Sequence, residues 1–351
     1  MNDEQAIDLL HTLVEIPSVS GDEARAADWL VVQMNQLGFT AQVDAAGNAV
    51  GGIGDGAETV MLLGHIDTVA GHIPVRIADG VLWGRGAVDA KGSLAAFVVA
   101  AARAQRSGHL RRRLIVVGCV EEEVASSKGA HHLAQTWPAP SWCIVGEPSG
   151  GNGVTLGYKG NLRATIRLHQ PATHSAHAAA TVAERGCAVW QAIHADANQW
   201  NRDLTRAFDQ LLPTLISINT GGDGLHEWCE LLVNVRLPLA LTPTEYATRL
   251  QTLLPADATL TISGATPAFA SERTGPLARR FGRVLRELGA TPRFIHKTGT
   301  ADLNVVGPAW GCPIVAYGPG DAALDHTPVE RLELAEYFRS VAVLERVLLS
   351  E

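Results

Sequence analysis

Two periods of apolar and polar residues alternate along the chain, and the places where they change mark its organisation. Helical spacing predicts a helix over 3–14 and a second from Ser20, where Ser20-x-x-Glu23 matches a capping box, through Trp29, Leu30 and Met34 to about Gly38. Short strands are expected at 40–44 and 47–53. Three apolar runs of the buried-strand type come next: Thr59–Gly64, Leu114–Cys119 and Cys143–Val145. Helices fit Ser93 to about residue 106, and 126–136. From about residue 154 the period shortens. Leu162, Ala164, Ile166 and Leu168 alternate with Arg163, Thr165, Arg167 and His169, the pattern of a half-buried strand. A helix over 178–198, strands over 213–220 and 230–238, a helix over 243–254 and a strand over 258–264 complete a β-α-β-β-α-β succession, the ferredoxin-like arrangement. After 268 the α/β pattern returns, with a helix over 274–289, strands over 292–296 and 313–316, and a last helix over 330–349. The expected fold is α/β. Residues 1–153 plus 268–351 form a discontinuous domain, and 154–267 an inserted α+β domain.

The candidate chemistry lies at the exits of the buried runs. In open α/β sheets ligands gather at the carboxyl ends of the strands. His65 and Asp67 leave the first run two residues apart, on one side of an extended chain. Asp67 can then take the second N–H of a metal-binding imidazole; a surface histidine beside a turn aspartate would look the same. Asp89 sits centrally in the glycine-rich stretch Trp83–Gly92, either as a two-oxygen ligand bridging two metals or as a helix cap. Glu121, Glu122 and Glu123 come after the second run. Three adjacent carboxylates repel unless something cationic compensates. They read as a ligand beside a general base, or as a solvated acidic loop. Glu147 leaves the third run, and His326 is a fifth candidate donor. One such exit is weak; four in succession supply the carboxylate and imidazole mixture that divalent metals take. In the inserted segment, Thr173-His174-Ser175-Ala176-His177 is a loop histidine pair, solvated or functional. Lys297-Thr298-Gly299-Thr300-Ala301-Asp302-Leu303-Asn304 is rich in turn and capping residues, and equally suits a pocket wall.

The 351 residues exceed one ordinary core, in keeping with two domains. A net charge of −8 argues against nucleic acid or an anionic membrane as partner. No apolar run approaches the ~18 residues of a membrane span. The acidic start, Met1 to Gln5, lacks a signal peptide's basic region. Five scattered cysteines suggest reduced thiols and a cytoplasmic protein.

The motifs together resemble the aminoacylase, carboxypeptidase-G and acetylornithine-deacetylase group of co-catalytic di-zinc metallopeptidases. They are Gly64-His65-Ile66-Asp67-Thr68-Val69, Gly84 to Gly92, Glu121-Glu122-Glu123, Gly146-Glu147-Pro148, Thr173-His174-Ser175-Ala176 and His326-Thr327-Pro328, in that order over nearly the whole chain. Glu121 stands where aspartate is usual and Ala125 where glycine is usual. The resemblance implies a zinc-peptidase-like three-layer catalytic domain holding two divalent metal ions, Zn2+ first, with Co2+ or Mn2+ as substitutes. By position, His65 and Glu147 hold one metal, Glu123 and His326 the other, and Asp89 bridges. Glu122 is implied as general base and acid, and Asp67 as the group orienting His65. His174 is implied to reach across a homodimer to stabilise an oxyanion, which makes the inserted domain a dimerisation lid.

Within the group, Lys297–Asn304 with Tyr317-Gly318-Pro319-Gly320-Asp321 and Leu324–Pro328 is similar to the carrier-protein-lysine (or -ornithine) hydrolases, with Ala301 where serine is usual. That implies substrate binding by Lys297, Thr298, Gly299, Thr300, Asp302, Asn304, Tyr317 and Gly318. It also implies hydrolysis of an amide on the α-nitrogen of lysine or ornithine, carried on a carrier protein's γ-glutamyl group or as an N-acetyl conjugate, in lysine or arginine biosynthesis. An acidic carrier would want a basic patch; Lys159, Arg163 and Arg167 read as such a patch or as scattered surface charges. A dipeptidase, an acetylornithine deacetylase or a succinyl-diaminopimelate desuccinylase would keep the same metal site. A non-catalytic binder would be expected to lose ligands or Glu122, and all are present.

Overall fold

The computed structural model describes residues 1–172, 174 and 179–350. The chain forms two compact units. One is Met1–Gly157, Ser271–His296 and Ala301–Glu351; the other is Tyr158–Ala270 with Lys297–Thr300. The sequence pattern puts the borders at 153/154 and 267/268, and puts Lys297–Thr300 with the first unit.

The first unit opens with helices α1 (Asp3–Glu15) and α2 (Ala24–Gln36), then strands β1 (Thr40–Val43), β2 (Ala49–Ile53), β3 (Thr59–His65), β4 (Arg76–Ala78) and β5 (Val81–Trp83). Helix α3 (Lys91–Arg106), strand β6 (Arg113–Cys119), helix α4 (Lys128–Thr136) and strands β7 (Trp142–Gly146) and β8 (Gly153–Tyr158) come next. The second unit carries β9 (Gly160–Pro171), α5 (Val182–Asn201), β10 (Leu212–Gly222), β11 (His226–Leu237), α6 (Pro243–Leu253), β12 (Thr259–Thr266) and β13 (Phe269–Ala270). The chain returns through α7 (Pro276–Glu287), β14 (Arg293–Lys297), α8 (Leu303–Trp310), β15 (Ile314–Ala316), β16 (Arg331–Glu333) and α9 (Leu334–Leu349).

The main sheet of the first unit runs β1-β2-β6-β3-β7-β15-β8, with β14 also on β8. Its centre, β6-β3-β7-β15, is parallel. That is why these strands read as unbroken apolar runs: both faces are covered. Helix α3 is buried almost all round, as a core helix should be. It packs on β2, β3, β6 and β7, with α1 and α9 behind it. The approach is set by three glycines in register on adjacent strands, Gly64 opposite Gly118 on one side and Gly146 on the other. A Cβ on Gly64 would meet Leu94 Cβ at 3.2 Å, and one on Gly146 would meet Phe97 Cε2 at 2.8 Å. The helix start, with Asp89 before it, is therefore drawn against the sheet at the level where His65 and Glu147 emerge.

The second unit is a four-stranded sheet in the order β10-β11-β9-β12, antiparallel throughout. Helices α5 and α6 complete the β-α-β-β-α-β succession read from the sequence. Its own core includes Leu162, Ile166, Ile193, Leu231, Val233 and Tyr246.

Some details depart from the sequence pattern. Helix α2 has no capping box: its N-cap Glu23 makes no side-chain capping bond, and Ser20 Oγ instead donates to Asp67 Oδ2 at 2.7 Å. Helix α8 is not foreseen, because Gly307 and Pro308 within eight residues oppose helix. The last helix starts at Leu334, not 330. Residues 331–333 join a small antiparallel sheet, β16-β5-β4, that the sequence pattern does not show.

Candidate metal centre

Asp89 is the hub of the site. Its Oδ1 lies 3.2 Å from His65 Nε2 and its Oδ2 lies 3.1 Å from His326 Nε2. Each carboxylate oxygen thus faces a different imidazole. The helix-cap alternative is answered as well: the N-cap of α3 is Ala90, and Asp89 caps nothing there. Glu123 approaches His326 Nε2 at 3.0 Å through Oε2 and 3.1 Å through Oε1. His65, Asp89 and Glu123 each offer a ligand atom within 4.8 Å of the others. Glu147, buried one residue past β7, adds a further carboxylate to this strand end.

Asp67 organises the first turn beyond β3. His65 Nδ1 lies 3.0 Å from the Asp67 main-chain oxygen and 3.5 Å from its Oδ1. The main chain is therefore the closer partner that orients the ring. The Asp67 carboxylate also gathers the acidic turn, accepting from the N–H of Glu122 at 3.1 Å and of Glu123 at 3.0 Å. Glu121, at the head of that turn, holds a left-handed φ of 57°, and His326 one of 60°. Both are uncommon for residues with a side chain.

Carboxylates crowd this strand end and shift the groups among them. Burial works against the charge of His65, yet its bonds to Asp67 and Asp89 and the field of Glu122 raise it well above the usual imidazole range. The bonds from Asp89 and Glu123 lift His326 to about 10. Burial opposes ionisation of Asp89, but the two imidazoles more than offset that and hold it low. Glu122 is pushed up by burial first, then by Glu147, Asp302 and Glu123, with His65 pulling the other way. The converging carboxylates favour positive charge at this point, which is what divalent cations supply in such a donor set. The residues fit a pair of hard or borderline divalent cations.

A family model described as peptidase family M20/M25/M40 matches residues 61–350. The chain belongs to peptidase family M20/M25/M40. A [LysW]-lysine hydrolase of Deinococcus radiodurans is 43% identical, covering 98% of this chain and 96% of that protein. A [LysW]-lysine/[LysW]-ornithine hydrolase of Saccharolobus islandicus is 26% identical over 96% of this chain and 93% of its own. Among solved structures, the M20 metallo-carboxypeptidase Sso-CP2 of Sulfolobus solfataricus superposes with a TM-score of 0.81 at 16% identity, covering 99% of both chains. Bacillus subtilis YXEP, described as a dinuclear metal binding peptidase of the M20 family, gives 0.72 at 12%, covering 99% of this chain and 97% of its own.

Within this M20 fold, the residues expected to bind substrate are divided between the two units. Lys297–Thr300 belongs to the second unit. There the Lys297 carbonyl accepts from Lys159 N–H at 3.2 Å, and Arg236 donates to Thr300 Oγ1. Asp302, Asn304 and Tyr317 belong to the first unit and are buried. Asn304 Oδ1 accepts from Ala301 N–H at 3.0 Å, and Tyr317 donates to the Gly151 carbonyl at 2.7 Å. Asn304 thus braces its own turn, and Tyr317 ties the end of β15 to the distant Gly151. Gly318 accepts from Ser149 N–H at 3.0 Å, and a Cβ on it would strike Ser93 Oγ. His174 is exposed in the second unit; Thr173 and Ser175–His177 lie outside the described residues. Of the three basic residues near the first strand of this unit, Arg163 is exposed. Lys159 is buried, donating to the Phe208 carbonyl at 2.9 Å, and Arg167 pairs with Glu230.

Two buried ionic residues beside the Asp89 turn are not legible in the sequence. Lys91 donates to the Ile16 carbonyl at 2.6 Å, and burial lowers its ammonium to about 7. Its one sequence signal is a lone cation in the apolar run 87–102. Glu330 is fully buried against the Asp89 turn. In sequence it reads as an ordinary acid in the first turn of the last helix.

Proposed function

We propose that this M20-family amide hydrolase releases lysine or ornithine from the γ-glutamyl end of a small carrier protein, with two divalent metal ions in the centre around Asp89. The single observation that supports the substrate is the 43% identity, over nearly both full lengths, to a protein named a [LysW]-lysine hydrolase. The two-metal reading is supported by Asp89, whose oxygens face separate imidazoles. In it, His65 and Glu147 hold one ion, His326 and Glu123 the other. Zn2+ fits this donor set best, and Co2+ or Mn2+ also fit.

Bound there, the ions would polarise the scissile carbonyl and lower the pKa of a water to near neutrality. The chain's own part is proton transfer and orientation. Glu122 takes a proton from the attacking water and returns it to the departing α-amine, which requires a carboxyl raised from its ordinary value. Asp67 keeps Glu122 and Glu123 at fixed heights through their main-chain N–H groups. His174 donates to the developing oxyanion from a partner subunit, and the second unit is the dimer surface. Its edge strand β10, with Ile216 and Ile218 exposed, supports that assignment. Five free cysteines support action in a reducing cytoplasm. Among the described residues no helix is long and apolar enough to cross a membrane.

The test is release of free amino acid by the metal-loaded protein. The substrates are a carrier ending in γ-glutamyl-lysine or γ-glutamyl-ornithine, Nα-acetyl-lysine, Nα-acetyl-ornithine, succinyl-diaminopimelate and a dipeptide. We expect the carrier-linked substrates to be preferred. Preference for the dipeptide or the succinyl compound would keep the metal centre and discard the carrier.

A further inference from the structure

We propose that Glu330 is a positioning residue of the metal centre, its carboxylate locking the turn that presents Asp89 to the segment that presents His326. This rests on reading His65, Asp89, Glu123 and His326 as metal donors. Glu330 lies four residues beyond His326, between elements, with no exposed surface. Its Oε1 accepts from the main-chain N–H of Val88 at 2.9 Å and of Asp89 at 3.1 Å. Its Oε2 accepts from Arg85 Nη1 at 2.7 Å, and Arg85 Nε reaches the Gly71 carbonyl at 3.3 Å. The Glu330 carbonyl takes the Gly84 N–H at 3.4 Å. One residue therefore holds both ends of the turn from Gly84 to Asp89.

The arrangement needs a carboxylate. A buried charge persists only when its acceptors are filled, and here two oxygens meet three donors. The bond from the Asp89 N–H ties the main chain of the bridging ligand directly to the segment that carries His326. The consequence is felt at the centre because Asp89 serves two imidazoles at once, at 3.2 and 3.1 Å. A shift of its Cα that improves one contact worsens the other. His326, in a left-handed conformation, relies on its flanks being fixed.

The experiment is a Zn2+ titration of the metal-free protein against a chromophoric chelator. It compares wild type, Glu330→Gln, Arg85→Gln and Asp89→Asn at a temperature where circular dichroism shows each to be folded. Glutamine keeps the volume but offers one oxygen and one NH2, so it cannot accept from both amides and from Arg85. We expect about 10- to 100-fold weaker Zn2+ binding in Glu330→Gln, the usual cost of losing a group that holds a ligand. Arg85→Gln, which leaves both amide bonds, should weaken binding less, and it serves alone if Glu330→Gln does not fold. A residue that only supports the fold would lower the melting temperature and leave the affinity of the folded protein unchanged. Wild-type affinity in both variants, with Asp89→Asn weakened, overturns the role of Glu330 and spares the centre. Unchanged affinity in Asp89→Asn overturns both.

Discussion

Asp302 is a carboxyl group buried in the first unit with neither oxygen hydrogen-bonded to nitrogen or oxygen. Its close polar neighbour is the Cys119 thiol, and burial above all lifts it to about 7 from 3.8. A carboxyl raised on folding contributes stability that is complete below its unfolded value and is lost as pH climbs through the folded one. For the metal-free protein that window runs from 3.8 to about 7. Asp302→Asn should remove this slope. Urea unfolding at several pH values should show the variant gaining on wild type as pH rises, and parallel curves would contradict the assignment. Glu122→Gln acts on chemistry instead. It should keep the metal and lower kcat by about 10²- to 10⁴-fold, the span of general acid–base catalysis. Turnover near wild type would transfer the proton role to another group.

At the scale of elements, the glycine row on β3, β6 and β7 decides how close α3 comes. Gly146→Ala should force Phe97 aside and cost about 1–3 kcal/mol, as overpacking does. It should also lower metal affinity by displacing Asp89, measured by thermal melts and Zn2+ titration of the same sample. An unchanged melt would mean that Phe97 has room to move. Strand runs such as Thr59–Gly64 are legible because a parallel sheet covered on both faces needs continuous apolar sequence. The alternation of the second unit is legible because half-buried strands show a period of two. Ser20 reads as a helix cap since capping is local, whereas in the fold a carboxylate 47 residues away takes its hydroxyl. Helix α8 and the sheet β16-β5-β4 escape the pattern because short elements leave too few positions to show a period.

At the scale of the molecule, metal and proton compete for the same imidazoles. His326 stands at about 10 without metal, against 6.5 ordinarily. Apparent metal affinity should therefore rise with pH across that range, as binding releases a proton. In the metal-free protein the charged His326 contributes stability below 6.5 that is lost as pH passes about 10. Metal at 100 times its Kd should add about 2.7 kcal/mol to folding, so a chelator should lower Tm; an unmoved Tm would deny the centre. By itself the sequence determined the order of the longer helices and strands and which side chains could be donors, since periodicity and residue type are local properties. Only the tertiary structure decided that Asp89 faces two imidazoles, that the Asp67 carboxylate gathers the acidic turn, and that Glu330 holds the Asp89 loop. Those contacts join residues 55 and 241 positions apart. No local pattern encodes which distant N–H a buried carboxylate will meet.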